Sequence, residues 1–203
     1  MNKALEDLYK KYEAPFLEAW QKAFRSAVRM NRFGVIDETH YRKILFIGKE
    51  TRGWGFLLLD WLQGWLRGTE AGTQHPRIWY NVSRWAKFIA DPTTDKAVLA
   101  AERSIDGLRY IAFTNVNKVG GFSSSGKAFE ELAQSAVARE LLKEELKILK
   151  PEWIVLCGTD RGILPEGVSA KVLQMPHPSA RRSALSLLEE LEEKLDGNRE
   201  KQD

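Results

Sequence analysis

The sequence predicts an α/β protein of three layers, α/β/α, built on a central, mainly parallel four-stranded sheet. Three observations predict it. Four short runs, at 43–48, 110–114, Trp153–Cys157 and Lys171–Met175, are apolar along their length rather than alternating, the pattern of strands buried on both faces. Stretches with helical spacing separate them, most plainly 126–149. Strands that alternate with helices in this way form parallel sheets covered on both sides.

Taken in order, residues 1–32 carry Leu5, Leu8, Tyr9, Tyr12, Phe16, Trp20, Phe24, Ala27 and Val28 at helical spacing. One or two amphipathic helices are expected there, with Pro15 as the candidate break. The run at 43–48 ends in glycine and supplies the first strand. Helices are expected at 77–90 and 96–106, then at 126–149, with a closing helix from about 183 to 195. The tail at 196–203 is polar and expected to fray. No repeat, low-complexity tract or linker interrupts the chain, so 1–203 reads as one domain, expected to act as a monomer.

Composition narrows the classes. With 203 residues, 43% hydrophobic and 29% charged, the chain can bury a core without staples. The lone Cys157 excludes an internal disulfide framework and a four-cysteine iron–sulfur cluster supplied by this chain. A single cysteine suits a reducing compartment. The N-terminus has acids where a leader would be apolar, and no run nears the roughly 20 apolar residues of a membrane span. A cytoplasmic protein without a membrane partner is therefore expected. A net charge of +3 permits a nucleic-acid partner without demanding one.

In open parallel sheets, ligands bind beyond the carboxyl ends of the strands. The segments there read GKETRGWG, NVNKVGG, GTDRG and PHPSARR. In that order they resemble the signature of the uracil-DNA glycosylase superfamily. Its first motif, G-Q-D-P-Y-H, G-E-A-P-G or G-x-N-P-G, is matched by Gly48-Lys49-Glu50-Thr51-Arg52-Gly53. Its strand ending in T-N-x-x-K is matched by Thr114-Asn115-Val116-Asn117-Lys118. Lys150-Pro151 followed by a strand and Gly158 matches the third element, and His177-Pro178-Ser179 the last. The likeness spans roughly 43–182 and departs from the pattern in its first motif, where Glu50 replaces aspartate, Thr51 proline and Arg52 tyrosine.

The resemblance implies a uracil-DNA glycosylase-like fold that hydrolyses the N-glycosidic bond of a flipped-out base, with DNA as partner and no cofactor. That reaction builds positive charge on the sugar and negative charge on the base. Glu50 would orient water and favour the cationic sugar; its alternative is a capping or salt-bridged carboxylate beside Lys49 and Arg52. His177 would donate a hydrogen bond to the base oxygen, for which a neutral imidazole suffices. Asn115 would read the Watson–Crick edge of uracil or cytosine, unless it merely turns the chain. Phe56 or Trp54 would stack on the base, or belong to the core. Ser179, Arg181 and Arg182 would meet DNA, with Arg181 on phosphate or in the gap the base leaves.

Two further segments invite other readings. Residues 74–87 mix bases with aromatics and suit either a DNA backbone or an amphipathic helix facing the core, the latter favoured. Gly121-Phe-Ser-Ser-Ser-Gly126-Lys127-Ala128 nearly spells a nucleotide phosphate loop, but Ala128 lacks the magnesium-binding hydroxyl. Ser124 and Lys127 fit a cradle for DNA phosphate better. Two questions of function stay open. The base is uracil or, because Arg52 stands where a tyrosine barrier would, a C5-modified pyrimidine in foreign DNA such as that of phage. The rival to an enzyme is a non-catalytic DNA- or protein-binding member of the same fold.

Overall fold

A computed structural model describes residues 1–24, 30–31, 33–49, 51–52, 58–70, 76–118, 120–121 and 131–199. In chain order these form α1 (Asn2–Phe24), β1 (Gly34–Val35), β2 (Ile44–Gly48), β3 (Thr51–Arg52), α2 (Leu58–Leu66), α3 (Pro76–Ala90) and α4 (Lys96–Ala101). A 3₁₀ turn (Asp106–Tyr110) leads into β4 (Ile111–Asn115) and β5 (Gly120–Gly121). There follow α5 (Ala136–Leu149), β6 (Trp153–Cys157), a 3₁₀ turn (Arg161–Ile163), β7 (Lys171–Met175) and α6 (Ala184–Arg199).

The three layers are those the sequence predicts. The main sheet runs β1-β4-β2-β6-β7, with β4, β2, β6 and β7 parallel and β1 antiparallel to β4. It therefore has five strands where four were expected. The added strand is only Gly34 and Val35, too short to show a pattern, and it pairs with the otherwise open edge of β4. β2 and β4 are buried at every position, as strands between two helical layers must be. α1 and α5 cover one face; α3, α4 and α6 cover the other. Phe46 of β2 stacks on Trp85 of α3 at 6.5 Å in the second of these layers.

Other boundaries move for local reasons. α1 runs through Pro15 without a break. Pro15 is exposed, as is Lys11 four residues earlier; the carbonyl left without its helical donor thus lies on the solvent side, where water can serve it. The expected helix at 96–106 is only α4, capped at its start by Asp95, and a 3₁₀ turn follows. Of 126–149, residues 131–133 are helical and, after a turn, α5 runs from Ala136 with Ser135 accepting from the Ala138 N–H, while 126–130 lie outside the described residues. α6 continues to Arg199 rather than fraying at 196, helped by the Lys194–Glu190 pair and by Asn198 bonded to the Lys194 carbonyl. Among the described residues no helix is long and apolar enough to cross a membrane.

The exposed proline gives a test of this packing. Pro15→Ala restores a helical hydrogen bond and should raise stability by roughly 1–3 kcal/mol, read as a higher urea midpoint at unchanged slope. An unchanged or lower midpoint would mean that the helix does not run through this position.

Candidate functional site

The carboxyl edge of the sheet gathers the loops that the sequence singles out. β2 and β4 pair in register from Ile44↔Ile111 to Gly48↔Asn115. Their pairing then continues beyond the sheet. Val116 N–H donates to the Gly48 carbonyl at 3.0 Å and Asn117 N–H to the Lys49 carbonyl at 2.9 Å. Thr51 and Arg52 next form a small parallel ladder with Gly120 and Gly121. The first and second motifs are thus zipped together along their backbones.

Asn115 ends β4 with its side chain buried, 2% exposed. A Cβ on Gly48 would stand 2.3 Å from Asn115 Oδ1 and 3.3 Å from the Phe113 ring. Glycine is thus required at 48 for space rather than for backbone angle. The Asn115 carboxamide carries both donors and an acceptor.

Beneath this loop lies a buried ionic cluster. Lys118 Nζ donates to Thr114 Oγ1 at 2.5 Å and to the Glu145 carboxylate at 2.8 Å. Tyr9 OH donates to the same carboxylate at 2.5 Å. Burial, opposed by Glu145, lowers the Lys118 ammonium from its ordinary pKa. Burial, reinforced by Glu145, raises the Tyr9 phenol well above its own.

His177 follows β7 and is exposed. Ser179 N–H donates to its Nδ1 at 3.2 Å, and Ser179 Oγ lies 2.6 Å from the same nitrogen. A backbone N–H can only donate, so Nδ1 carries a lone pair and the neutral ring has its proton on Nε2. The imidazole is therefore set as an Nε2–H donor. Gly158, at φ +67°, ends β6 against it; a Cβ there would meet His177 Cβ at 3.1 Å.

The His177 loop is held from below by α3. Asn81 Nδ2 donates to the Pro178 carbonyl at 2.7 Å, Arg84 donates to Asn81 Oδ1 at 2.8 Å, and Arg77 donates to the Arg182 carbonyl at 2.5 Å. Sequence reasoning missed this bracket. Its signal is the spacing of Arg77, Asn81 and Arg84, one stripe of a helix whose Trp79, Val82 and Trp85 face the core. The core-facing reading of 74–87 accordingly fits α3. The Arg182 guanidinium is engaged by Glu190 and Ser186 of α6, whereas Arg181 is exposed.

Asn115 and His177 share the edge but do not touch. β2 and β6 lie between their strands, so the strand ends are about 14 Å apart at ordinary sheet spacing. A cleft of about 640 Å³ opens on this edge, lined by Lys49, Gly158, Thr159, Met175, Pro176 and Lys194 among others. The Thr159 hydroxyl in its wall is buried and has no hydrogen-bond partner among the described residues. The sequence reading passed over Thr159, which has no motif of its own. A larger cavity of about 740 Å³ lies at the opposite, amino edge beside Ile44 and Trp153, where its Lys87 and Glu102 are paired with each other. Glu50, Trp54, Phe56, Ser124 and Lys127 lie outside the described residues, and for Arg52 only the backbone is described.

Compared with known proteins, the chain matches no family model and no curated protein.

Two outcomes test this geometry. Gly48→Ala should displace the Asn115 carboxamide and cost about 1–3 kcal/mol of stability through overpacking; a urea midpoint equal to wild type would show that the close approach is absent. Glu190, though burial raises its pKa, is held below the ordinary 4.5 by hydrogen bonds from Lys194 and Arg182. A folded-state value below the unfolded one means stabilisation that is complete above 4.5 and lost as pH falls through the lowered value. Glu190→Gln should therefore cost about 1 kcal/mol at neutral pH, and its difference from wild type should shrink to nothing in urea melts taken stepwise into acid.

Proposed function

We propose that this chain is a monofunctional DNA glycosylase that hydrolyses the N-glycosidic bond of a flipped-out uracil or modified pyrimidine. The observation that carries the reading is the state of two polar groups at one sheet edge. Asn115 sets a buried carboxamide against Gly48, and the Ser179 N–H leaves Nε2 as the protonated nitrogen of the neutral His177 ring. A carboxamide suits the donor and acceptor edge of a pyrimidine, and an imidazole N–H suits an oxygen that gains negative charge as the bond breaks. The motif resemblance adds Glu50, directly after Lys49, as the carboxylate that orients water and favours the cationic sugar. Arg181 and Thr159 at the same edge suit phosphate or sugar oxygens.

Such a mechanism divides the charge between two sides. The bond lengthens as the base takes up electrons, and the His177 Nε2–H stabilises the oxygen where they collect. Water adds to the anomeric carbon, its proton passing to the Glu50 carboxylate, and leaves an abasic sugar and a free base. The reading is tested by incubating the protein with oligonucleotides carrying uracil, C5-modified pyrimidines or normal bases, then treating with alkali to cut abasic sites. Strand scission is expected on at least one of them. It should fall by about 10²-fold or more in Glu50→Gln and in His177→Ala, with DNA binding retained. Binding without scission on every oligonucleotide would replace the enzyme with a binding module of the same fold.

A further inference from the structure

The buried cluster under the second motif has no place in the chemistry just described, yet it is expensive. Lys118 is 1% exposed and Glu145 fully buried, and desolvating two charges rarely gains stability over apolar residues of similar size. Its geometry suggests what it does instead. Thr114 and Lys118, at the two ends of the loop that carries Asn115, both bond the Glu145 carboxylate of α5. Thr114 Oγ1 accepts from Lys118 and lies 3.2 Å from Glu145 Oε1, so the three groups close a ring around the loop's base. Tyr9 of α1 completes the carboxylate's shell, and Phe33 covers the ammonium with its ring 5.2 Å away. The loop's outer amides, on Val116 and Asn117, meet the Gly48 and Lys49 carbonyls. The chain between Thr114 and Lys118 is thus clamped from inside by charge and from outside by backbone.

We propose that Lys118, Glu145 and Tyr9 are positioning residues that hold the Asn115 carboxamide in the orientation that selects the base. The proposal rests on the glycosylase reading for what is selected, but the clamp itself can be tested apart from it. In this account the cluster acts only through the loop and touches neither DNA nor water at the reacting carbon.

The test uses the full chain and two variants. Lys118→Met/Glu145→Leu removes both charges at similar volume, which buried pairs often tolerate without loss of stability; Tyr9→Phe removes a single hydroxyl and serves if the double variant does not fold. Amide hydrogen exchange is expected to quicken by about tenfold or more at Val116 and Asn117, while Val155 and Leu156 in β6 stay at wild-type rates. On the oligonucleotide panel, the ratio of kcat/KM for the preferred base to that for the next best should fall by about tenfold, with KM little changed. A merely structural role would lower the stability or the active fraction and leave that ratio alone. Wild-type exchange at Val116 and Asn117 in a folded variant, or quickened exchange with an unchanged ratio, overturns the proposal. If the wild-type chain excises no base, the glycosylase reading fails, and the exchange rates still accept or reject the clamp.

Discussion

The carboxyl edge depends on one continuity, the pairing of β2 with β4 carried past the ends of both strands. Loops that leave a sheet ordinarily lose their ladder partners and must find others or meet water. Here the carbonyls of Gly48 and Lys49 receive the amides of Val116 and Asn117, and the ladder resumes at Thr51 and Gly120. Each loop thereby bears part of the entropic cost of ordering the other. Asn115 inherits a fixed frame from this arrangement. Its neighbour across the ladder is glycine, and a side chain at that point would occupy the space the carboxamide takes.

Polar side chains inside the fold are placed with a similar logic on the two faces of the sheet. Under the Asn115 loop lie Lys118, Glu145 and Thr114; under the His177 loop lie Asn81 and Arg84. The second set satisfies carbonyls that would otherwise be stranded where α3 meets the following segments, those of Pro178, Leu99 and Glu102. Stability itself comes chiefly from the apolar layers, where Phe46, Trp85, Leu141, Leu156 and Leu188 are fully or almost fully covered. The buried polar groups add direction, because hydrogen bonds in a low-dielectric interior tolerate few alternative geometries.

How far the sequence could be read follows from these same facts. β2, β4 and β6 were legible because burial on both faces leaves a continuous apolar run, whereas the edge strand β7 is only half-buried, with Gln174 exposed; all four end within a residue or so of the expected place. β1 was not, since two residues have no period and its pairing is decided by the open edge of β4. Pro15 misleads because local propensity marks a break, whereas the carbonyl it leaves without a donor lies on the exposed side of the helix. Asn115 and His177 were legible as polar residues at or just beyond the carboxyl ends of strands. The bracket of Asn81 and Arg84 was not, because a polar stripe on an amphipathic helix looks like a solvated face until the chain folding back over it is known. Nor could spacing reveal the β3–β5 ladder, built from Thr51, Arg52 and two glycines.

What is left small at this edge says as much as what is charged. Strand order reverses at the centre of the sheet: the chain passes from β2 outward to β4, then returns across β2 to β6 and continues to β7. Loops leaving β2 and β6 therefore diverge and open a crevice between them, the position at which α/β sheets bind ligands. β2 ends in glycine, and β6 is followed directly by one. Gly48 yields its space to Asn115 on one side, and Gly158, in a left-handed backbone conformation that favours glycine, yields its space to His177 on the other. A Cβ at either position would displace a polar side chain instead of filling a void. The cleft at this edge is lined by Lys49, Gly158 and Thr159 among others, with Asn115 at the end of β4 on one side of the central strands and His177 beyond β7 on the other.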